Sequence, residues 1–201
     1  MDSSKLQIID PKSTYIDEEA EIGQGTVIYP NTTVLGKVKI GKGCEIGPNS
    51  VIQDSKIGDY CVIFFSVVKN SEIADKVDIG PFSHLRGQVK IEKGVHVGNY
   101  VEMVRTKVGV NTKVGHVAYL GDAMVGENVN IGAGTITANY DGVKKHQTTI
   151  GDGCFVGANT VFVAPVNVGS QSKTGAGAVV KDDVPVNTLV VGMPAKFKKK
   201  L

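Results

Sequence analysis

No tryptophan occurs in this chain, and six phenylalanines and six tyrosines are its only aromatic side chains besides histidine. A core built around large aromatic rings is therefore excluded, and the apolar interior has to come from aliphatic residues. Charge of either sign is not in excess: 22 basic residues face 20 acidic ones, a net of +2. That balance gives no general electrostatic drive toward nucleic acid or anionic lipid. Three cysteines form an odd count without C-x-x-C spacing, which is not the pattern of a disulfide framework or a zinc knuckle. No run is long and apolar enough to span a membrane as a helix. The opening Met-Asp-Ser-Ser-Lys-Leu-Gln lacks the apolar core of a signal peptide. These absences together predict a cytoplasmic protein with no nucleic-acid or membrane partner.

What the chain does have is an aliphatic residue at every sixth position. Ile16, Ile22, Ile28, Val34, Ile40, Ile46 and Ile52 keep the step unbroken. Ile57, Ile63, Val68, Ile73, Ile79, Leu85, Ile91 and Val97 continue it with three steps shortened to five. Met103, Val108, Val114, Leu120, Val125 and Ile131 come next, and Ile150, Val156, Phe162 and Val168 resume after a gap. A period of six fits neither an amphipathic helix nor simple strand alternation. It is the signature of a hexapeptide-repeat parallel β-helix. A small residue stands two places before each aliphatic one, as Ala20, Thr26, Thr32, Val38, Cys44 and Ser50 do. Alternate residues of a short strand share a face, so both members of each pair can point inward. Glycine usually comes after the aliphatic residue, and a positive φ at a corner would explain it. Three repeats, about 18 residues, would close one triangular coil stacked at about 4.8 Å on the next.

The repeat divides the chain. Residues 1–14 lack it and read as a lead-in segment, 15–192 as one all-β solenoid, and 193–201 as a basic C-terminal tail. Between Thr137 and Ile150 the polar Ala-Asn-Tyr-Asp-Gly-Val-Lys-Lys-His-Gln-Thr-Thr cannot fill an apolar core. It predicts an external loop over about 138–149, a natural place for substrate contacts on a rigid scaffold. Cys44, Cys61 and Cys154 each fall on the small inward position, so they read as buried structural thiols, the first two stacked on adjacent coils.

Four stretches carry more than the repeat. They are Ile-Gly-Pro-Phe-Ser-His-Leu-Arg (79–86), His-Val-Gly-Asn-Tyr-Val-Glu-Met (96–103), Gly-His-Val-Ala-Tyr-Leu-Gly-Asp-Ala (115–123) and Asn-Val-Asn-Ile-Gly-Ala-Gly-Thr-Ile-Thr-Ala-Asn-Tyr-Asp-Gly (128–142). Together they resemble the C-terminal domain of the bacterial bifunctional N-acetylglucosamine-1-phosphate uridyltransferase/glucosamine-1-phosphate N-acetyltransferase. The resemblance runs from about residue 8 to about residue 181, and no nucleotide-loop region of the uridyltransferase kind stands before it in this sequence.

The resemblance implies a left-handed β-helix that acetylates glucosamine-1-phosphate from acetyl-CoA, within UDP-N-acetylglucosamine biosynthesis and cell-wall biogenesis. It implies a homotrimer with its active site between subunits, and no metal for acetyl transfer. His116 would be the general base. An ammonium has no lone pair, and an imidazole ordinarily titrating near 6.5 can take its proton at neutral pH. Strand alternation would turn His116 inward, so the corner after Gly115 has to redirect it. Arg86, Tyr119 and Asn130 would hold the phosphosugar, with Lys145 nearby. Ala133, Asn139, Tyr140, Ala158, Ala176 and Met193 match positions bordering acetyl-CoA.

Three departures stand out. Val104 occupies a place where the family has a lysine gripping the sugar phosphate. Arg86 and Val104 are 18 residues apart, so the family pair would form a two-cation column, and here half of it is missing. Arg105 is adjacent but starts on the opposite face of the strand. Ala158 replaces a serine and Met193 an arginine at CoA-contacting places. Competing readings are an acetyltransferase for another amino-sugar phosphate or nucleotide-linked amino sugar, which Val104 favours, and a non-catalytic β-helix assembly module. A zinc carbonic anhydrase on the same scaffold needs three convergent histidines, and the spacing of His96 and His116 offers no third.

Overall fold

The computed structural model describes residues 5–192. Over that range the chain is built from strands of two or three residues in three parallel sheets of eleven, ten and nine strands. The path visits sheet A, then sheet B, then sheet C, and begins again one level further along. The result is a three-sided parallel β-helix of about ten coils. Consecutive strands never pair with each other. Each pairs with the strand one coil away, which is why the sequence period is six and the pairing period close to 18.

The register turns the aliphatic period into continuous columns. In sheet A, Ile28, Ile46, Ile63, Ile79, Val97, Val114, Ile131 and Val156 lie in successive pairs. All are buried, and each contributes about 1.5–3 kcal/mol of apolar burial. Since every coil buries its stripe mainly against its neighbours, the core lengthens coil by coil without needing a large aromatic centre. Small hydroxyls fill the remaining inward places and satisfy backbone groups there. Thr112 Oγ1 donates to Gly126 O at 2.8 Å and accepts from Val129 N–H at 2.9 Å. Cys44 and Cys61 occupy equivalent places on adjacent coils as free buried thiols, with Cys61 N–H 3.4 Å from Cys44 Sγ.

Most glycines just after the aliphatic residues have a different purpose from the one their sequence positions suggest, Gly47 and Gly80, at φ 99° and 113°, being exceptions. Gly115, Gly132 and Gly157 are not in the left-handed region, but a Cβ on Gly132 would stand 2.6 Å from Ala158 N and 2.7 Å from Val156 O. They are glycine because successive coils touch backbone to backbone at that corner. The left-handed residue comes two places later, and it is often not glycine: Tyr100, Val117 and Asn159 all have φ near +57°.

One boundary differs from the sequence division, and one coil runs on where the aliphatic pattern breaks. Gln7–Ile8 already pairs with Val27–Ile28, so the first rung lies inside the lead-in segment. Thr137 occupies an inward position at the start of the gap, fully buried, its Oγ1 accepting Gly121 N–H at 2.7 Å and donating to Gly121 O at 3.0 Å. The aliphatic pattern breaks at Thr137 while the coil continues through it to Ala138. The chain then leaves the prism and returns at Thr148–Ile150, which pairs in register with Ala123–Val125.

Candidate active site

The corner between sheets A and B carries His116. Lys113–Val114 ends a sheet A strand, Gly115 permits the close passage of neighbouring coils, and His116 emerges exposed, not inward. Val117 at φ 57° then turns the chain into Tyr119–Gly121 of sheet B. A left-handed β-branched residue is strained, and this one is fixed by Val117 N–H donating to Asn99 O at 3.0 Å.

Below His116 the same corner repeats with alanine at the position of the histidine. Gly134 N–H donates to His116 O at 2.8 Å, Asn159 N–H to Ala133 O at 2.7 Å and Gly177 N–H to Ala158 O at 2.8 Å. His116, Ala133, Ala158 and Ala176 therefore stand in one column, and all four are exposed. At and above His116 four consecutive left-handed positions of this corner are apolar or aromatic, before Asn49 and Asn31 take over. Phe65, Phe82, Tyr100 and Val117 form an exposed ridge, with Phe65 to Phe82 at 5.6 Å and Phe82 to Tyr100 stacked at 5.2 Å.

Sheet B brings a second group together on its outer face. His84, Glu102 and Tyr119 form one outward column, and Arg86, Val104 and Gly121 the next. Arg86 reaches back across the columns, Nη2 to Glu102 Oε1 at 2.6 Å and Nε to the same oxygen at 3.1 Å. Burial, with Arg86 beside it, lowers the pKa of His84. A Cβ on Gly121 would lie 2.6 Å from the Tyr119 hydroxyl and 2.5 Å from Asn139 Nδ2. Gly121 is thus the floor over which Tyr119 and Asn139 meet. Val104 shares the column of Arg86, as the 18-residue spacing requires, but is only 2% exposed. It is an outward position covered by its neighbours, its Cγ2 3.3 Å from where a Cβ on Gly87 would sit.

The next corner, between sheets B and C, aligns Arg105, Asp122 and Asn139 at steps of 17 residues. Asp122 accepts from Arg105 Nε at 2.5 Å and Nη2 at 2.9 Å, and also from Asn139 Nδ2. Its pKa is lowered, first by the Arg105 hydrogen bonds, then by Asn139 and by the charges of Arg105 and Lys145. Asn139 opens the external loop and is 6% exposed, whereas Tyr140 and Lys145 are exposed and bridge each other antiparallel. Inside the loop Asp141 accepts Val143 and Lys144 N–H at 2.8 Å each and contacts His146 Nε2 at 2.6 Å. Those contacts hold its pKa down to about 2.

The sequence-predicted residues therefore fall into three places on one chain. Arg86 and Tyr119 share the sheet B face, Asn139 stands at its edge toward sheet C, and Tyr140 and Lys145 lie in the loop that begins there. His116, Ala133, Ala158 and Ala176 line the corner beside that face. Asn130 points outward from sheet A, on the far side of that corner. Met193 and the tail 193–201 lie outside the described residues. Glu102 and Asp122 were missed by the sequence reading, although both stand inside its motifs; the spacing of 17 from Arg105 to Asp122 to Asn139 was the available signal. A groove of about 510 Å³ lies on sheet C, opposite the His116 corner, among Lys37, Lys56, Glu72, Lys90 and Lys107. No predicted site residue lines it. Among the described residues, no three His, Cys, Asp or Glu side chains are grouped as a metal site.

Residues 19–54 match the family described as bacterial transferase hexapeptide (six repeats), and 147–181 match the hexapeptide repeat of succinyl-transferase. The chain is 50% identical over 98% of its length to the bifunctional protein GlmU of Caldicellulosiruptor saccharolyticus, covering 42% of that protein. It is 50% identical over 98% of its length to GlmU of Fervidobacterium nodosum, covering 43%. The chain thus spans less than half the length of these relatives. Among solved structures, an Arabidopsis UDP-N-acetylglucosamine acyltransferase superposes with a TM-score of 0.80 at 20% identity, over 92% of this chain and 71% of that one. That likeness shows the fold. Over almost its entire length the chain is similar to one part of these bifunctional proteins.

Proposed function

We propose that this chain, as a relative of the GlmU proteins, is an acetyl-CoA-dependent N-acetyltransferase that converts glucosamine-1-phosphate to N-acetylglucosamine-1-phosphate for UDP-N-acetylglucosamine synthesis. The observation that carries the reading is His116, exposed at a corner whose column continues as Ala133, Ala158 and Ala176, in a chain half identical to those proteins. The alanine column leaves room for an extended thioester to lie along the corner. His116 takes a proton from the acceptor's ammonium. The freed nitrogen lone pair attacks the thioester carbonyl, the carbon–sulfur bond breaks, and the second proton that the nitrogen sheds as the amide forms goes to the departing sulfur, so that CoA leaves as its thiol. Arg86, Tyr119 and Lys145 grip the phosphosugar, with Glu102 fixing the direction of Arg86.

The placement of Asn130 supports a homotrimer. It lies across the corner from Arg86 and Tyr119, so one chain cannot set all three around one substrate. The exposed Phe65–Phe82–Tyr100 ridge beside His116 is an apolar surface suited to pack against a second copy. Phe82→Asp with Tyr100→Asp should yield monomers in light scattering and lose activity; a fully active monomer would reject the trimeric site. The cytoplasm is the expected location.

Thiol release from acetyl-CoA, compared across glucosamine-1-phosphate, glucosamine-6-phosphate and glucosamine, tests the reading. Turnover should be highest with glucosamine-1-phosphate. Val104 favours a second reading, an acetyltransferase for another amino-sugar phosphate or a nucleotide-linked amino sugar, and preference for such an acceptor would establish it.

A further inference from the structure

Three segments converge on Asp122. Arg105 from the preceding coil donates twice to its carboxylate, and Asn139 at the entry of the external loop donates a third time. Thr148 N–H, at the exit of the same loop, donates to the Asp122 carbonyl at 3.2 Å. Asp122 N–H is used as well, donating to Val104 O at 3.0 Å. Its side chain is only 18% exposed. It also adopts φ 50°, a conformation that aspartate tolerates better than most residues. One residue thus contacts both roots of the loop that carries Asn139, Tyr140 and Lys145. Asn139 passes the restraint inward, since its own carbonyl accepts His146 N–H at 2.7 Å.

We propose that Asp122 is the positioning residue that fixes the external loop, residues 139–147, on the prism before any ligand arrives, with Arg105 as its counter-ion and not as a phosphate-binding cation. The kinetic half of this inference rests on the acetyltransferase reading. A bidentate arginine–carboxylate pair is geometrically specific, and both of its arms here end on Asp122. If Asp122 loses its charge, the buried Asn139 amide loses its ionised acceptor. The loop then has to be ordered when the cofactor binds, which weakens binding without removing any group that touches it.

The test uses the full chain with Asp122→Asn, and with Arg105→Lys as a milder variant that keeps the charge but not the fork. Lys144 and Lys145 place two tryptic sites in the exposed loop. Below the unfolding midpoint, trypsin should cut there at least about tenfold faster in Asp122→Asn than in the parent, with Arg105→Lys in between. KM for acetyl-CoA should rise at least about fivefold in Asp122→Asn. A purely structural Asp122 would lower the midpoint and leave both the loop cleavage rate and KM unchanged, which would overturn the proposal. So would Arg105→Lys raising KM for the acceptor alone at an unchanged cleavage rate, the result expected of a phosphate-binding cation. If the parent chain transfers no acetyl group, the functional reading fails, and the cleavage rates still decide the anchoring.

Discussion

Replacing Gly121 with alanine isolates one contact at the site. Gly121 is not in the left-handed region, so alanine brings no backbone strain there. It also restricts the unfolded chain, a gain of about 0.4–1 kcal/mol. The cost is steric. The new methyl would stand 2.5 Å from Asn139 Nδ2 and 2.6 Å from the Tyr119 hydroxyl, against 3.4 Å or more for ordinary contact. Both side chains have to move by nearly 1 Å, and overpacking of this kind costs about 1–3 kcal/mol. The net loss is about 1–2 kcal/mol, a drop of roughly 2–8 °C in the midpoint for a chain of this size. Activity should suffer far more, because displacing positioned groups by about 1 Å costs on the order of 10²-fold. Differential scanning calorimetry and thiol-release kinetics measure the two effects separately. Tyr119→Phe added to Gly121→Ala removes one of the two clashes, so the double variant should regain part of the lost stability in a double-mutant cycle. A Gly121→Ala chain with kcat/KM within twofold of the parent would show that Tyr119 and Asn139 do not form the working surface.

His116→Ala should lower kcat by about 10²–10⁴-fold while acetyl-CoA binding, measured by calorimetry, stays nearly unchanged; a residual kcat above about a tenth would place the base elsewhere. Val104→Lys should lower KM for glucosamine-1-phosphate with little change in kcat, and the gain should shrink with added salt; an unchanged KM would show that the buried position does not open toward the phosphate. Thr137→Val should destabilise by roughly 1–3 kcal/mol in urea unfolding, because the Gly121 N–H and C=O it satisfies are left unpaired beneath the site; a neutral effect would mean that water replaces the hydroxyl. The Asp141 carboxyl has a depressed pKa, so its contribution to loop order is full above the ordinary aspartate range near 3.9 and is lost as pH falls through about 2; the Asp141 carboxyl carbon shift in an NMR titration should show its midpoint near 2, and a midpoint near 4 would remove the contacts with His146 and the loop amides.

The fold was legible because a period of six survives in almost every coil and has one physical solution. The inward columns, the stacked thiols and the exit point of the loop all come from counting. Val104 shows where counting stops: its column was predictable, while its burial depends on how neighbouring side chains lean. The glycines show the same limit in another way. Backbone crowding between coils and a left-handed φ both select glycine, and a single sequence does not separate them. Asp122 was hidden for a third reason. Its partners Arg105 and Asn139 lie one coil away on either side, so no local motif joins them.

The near-constant pairing period gives each residue number the meaning of a cylindrical coordinate. Its remainder within a coil sets the angle around the axis, and its coil number sets the height, at about 4.8 Å per level. A deletion of six residues would therefore rotate everything after it by a third of a turn, sending a corner histidine to a different edge. A deletion of one whole coil far from the site would instead shorten the column and leave every angle as it was. The external loop obeys the same arithmetic: Ala123 meets Thr148 across 25 residues in register, so the extra chain changes neither coordinate of the coils beyond it. Length can thus vary at a corner without disturbing the frame, and the chemistry carried by such a loop can change while the scaffold stays fixed.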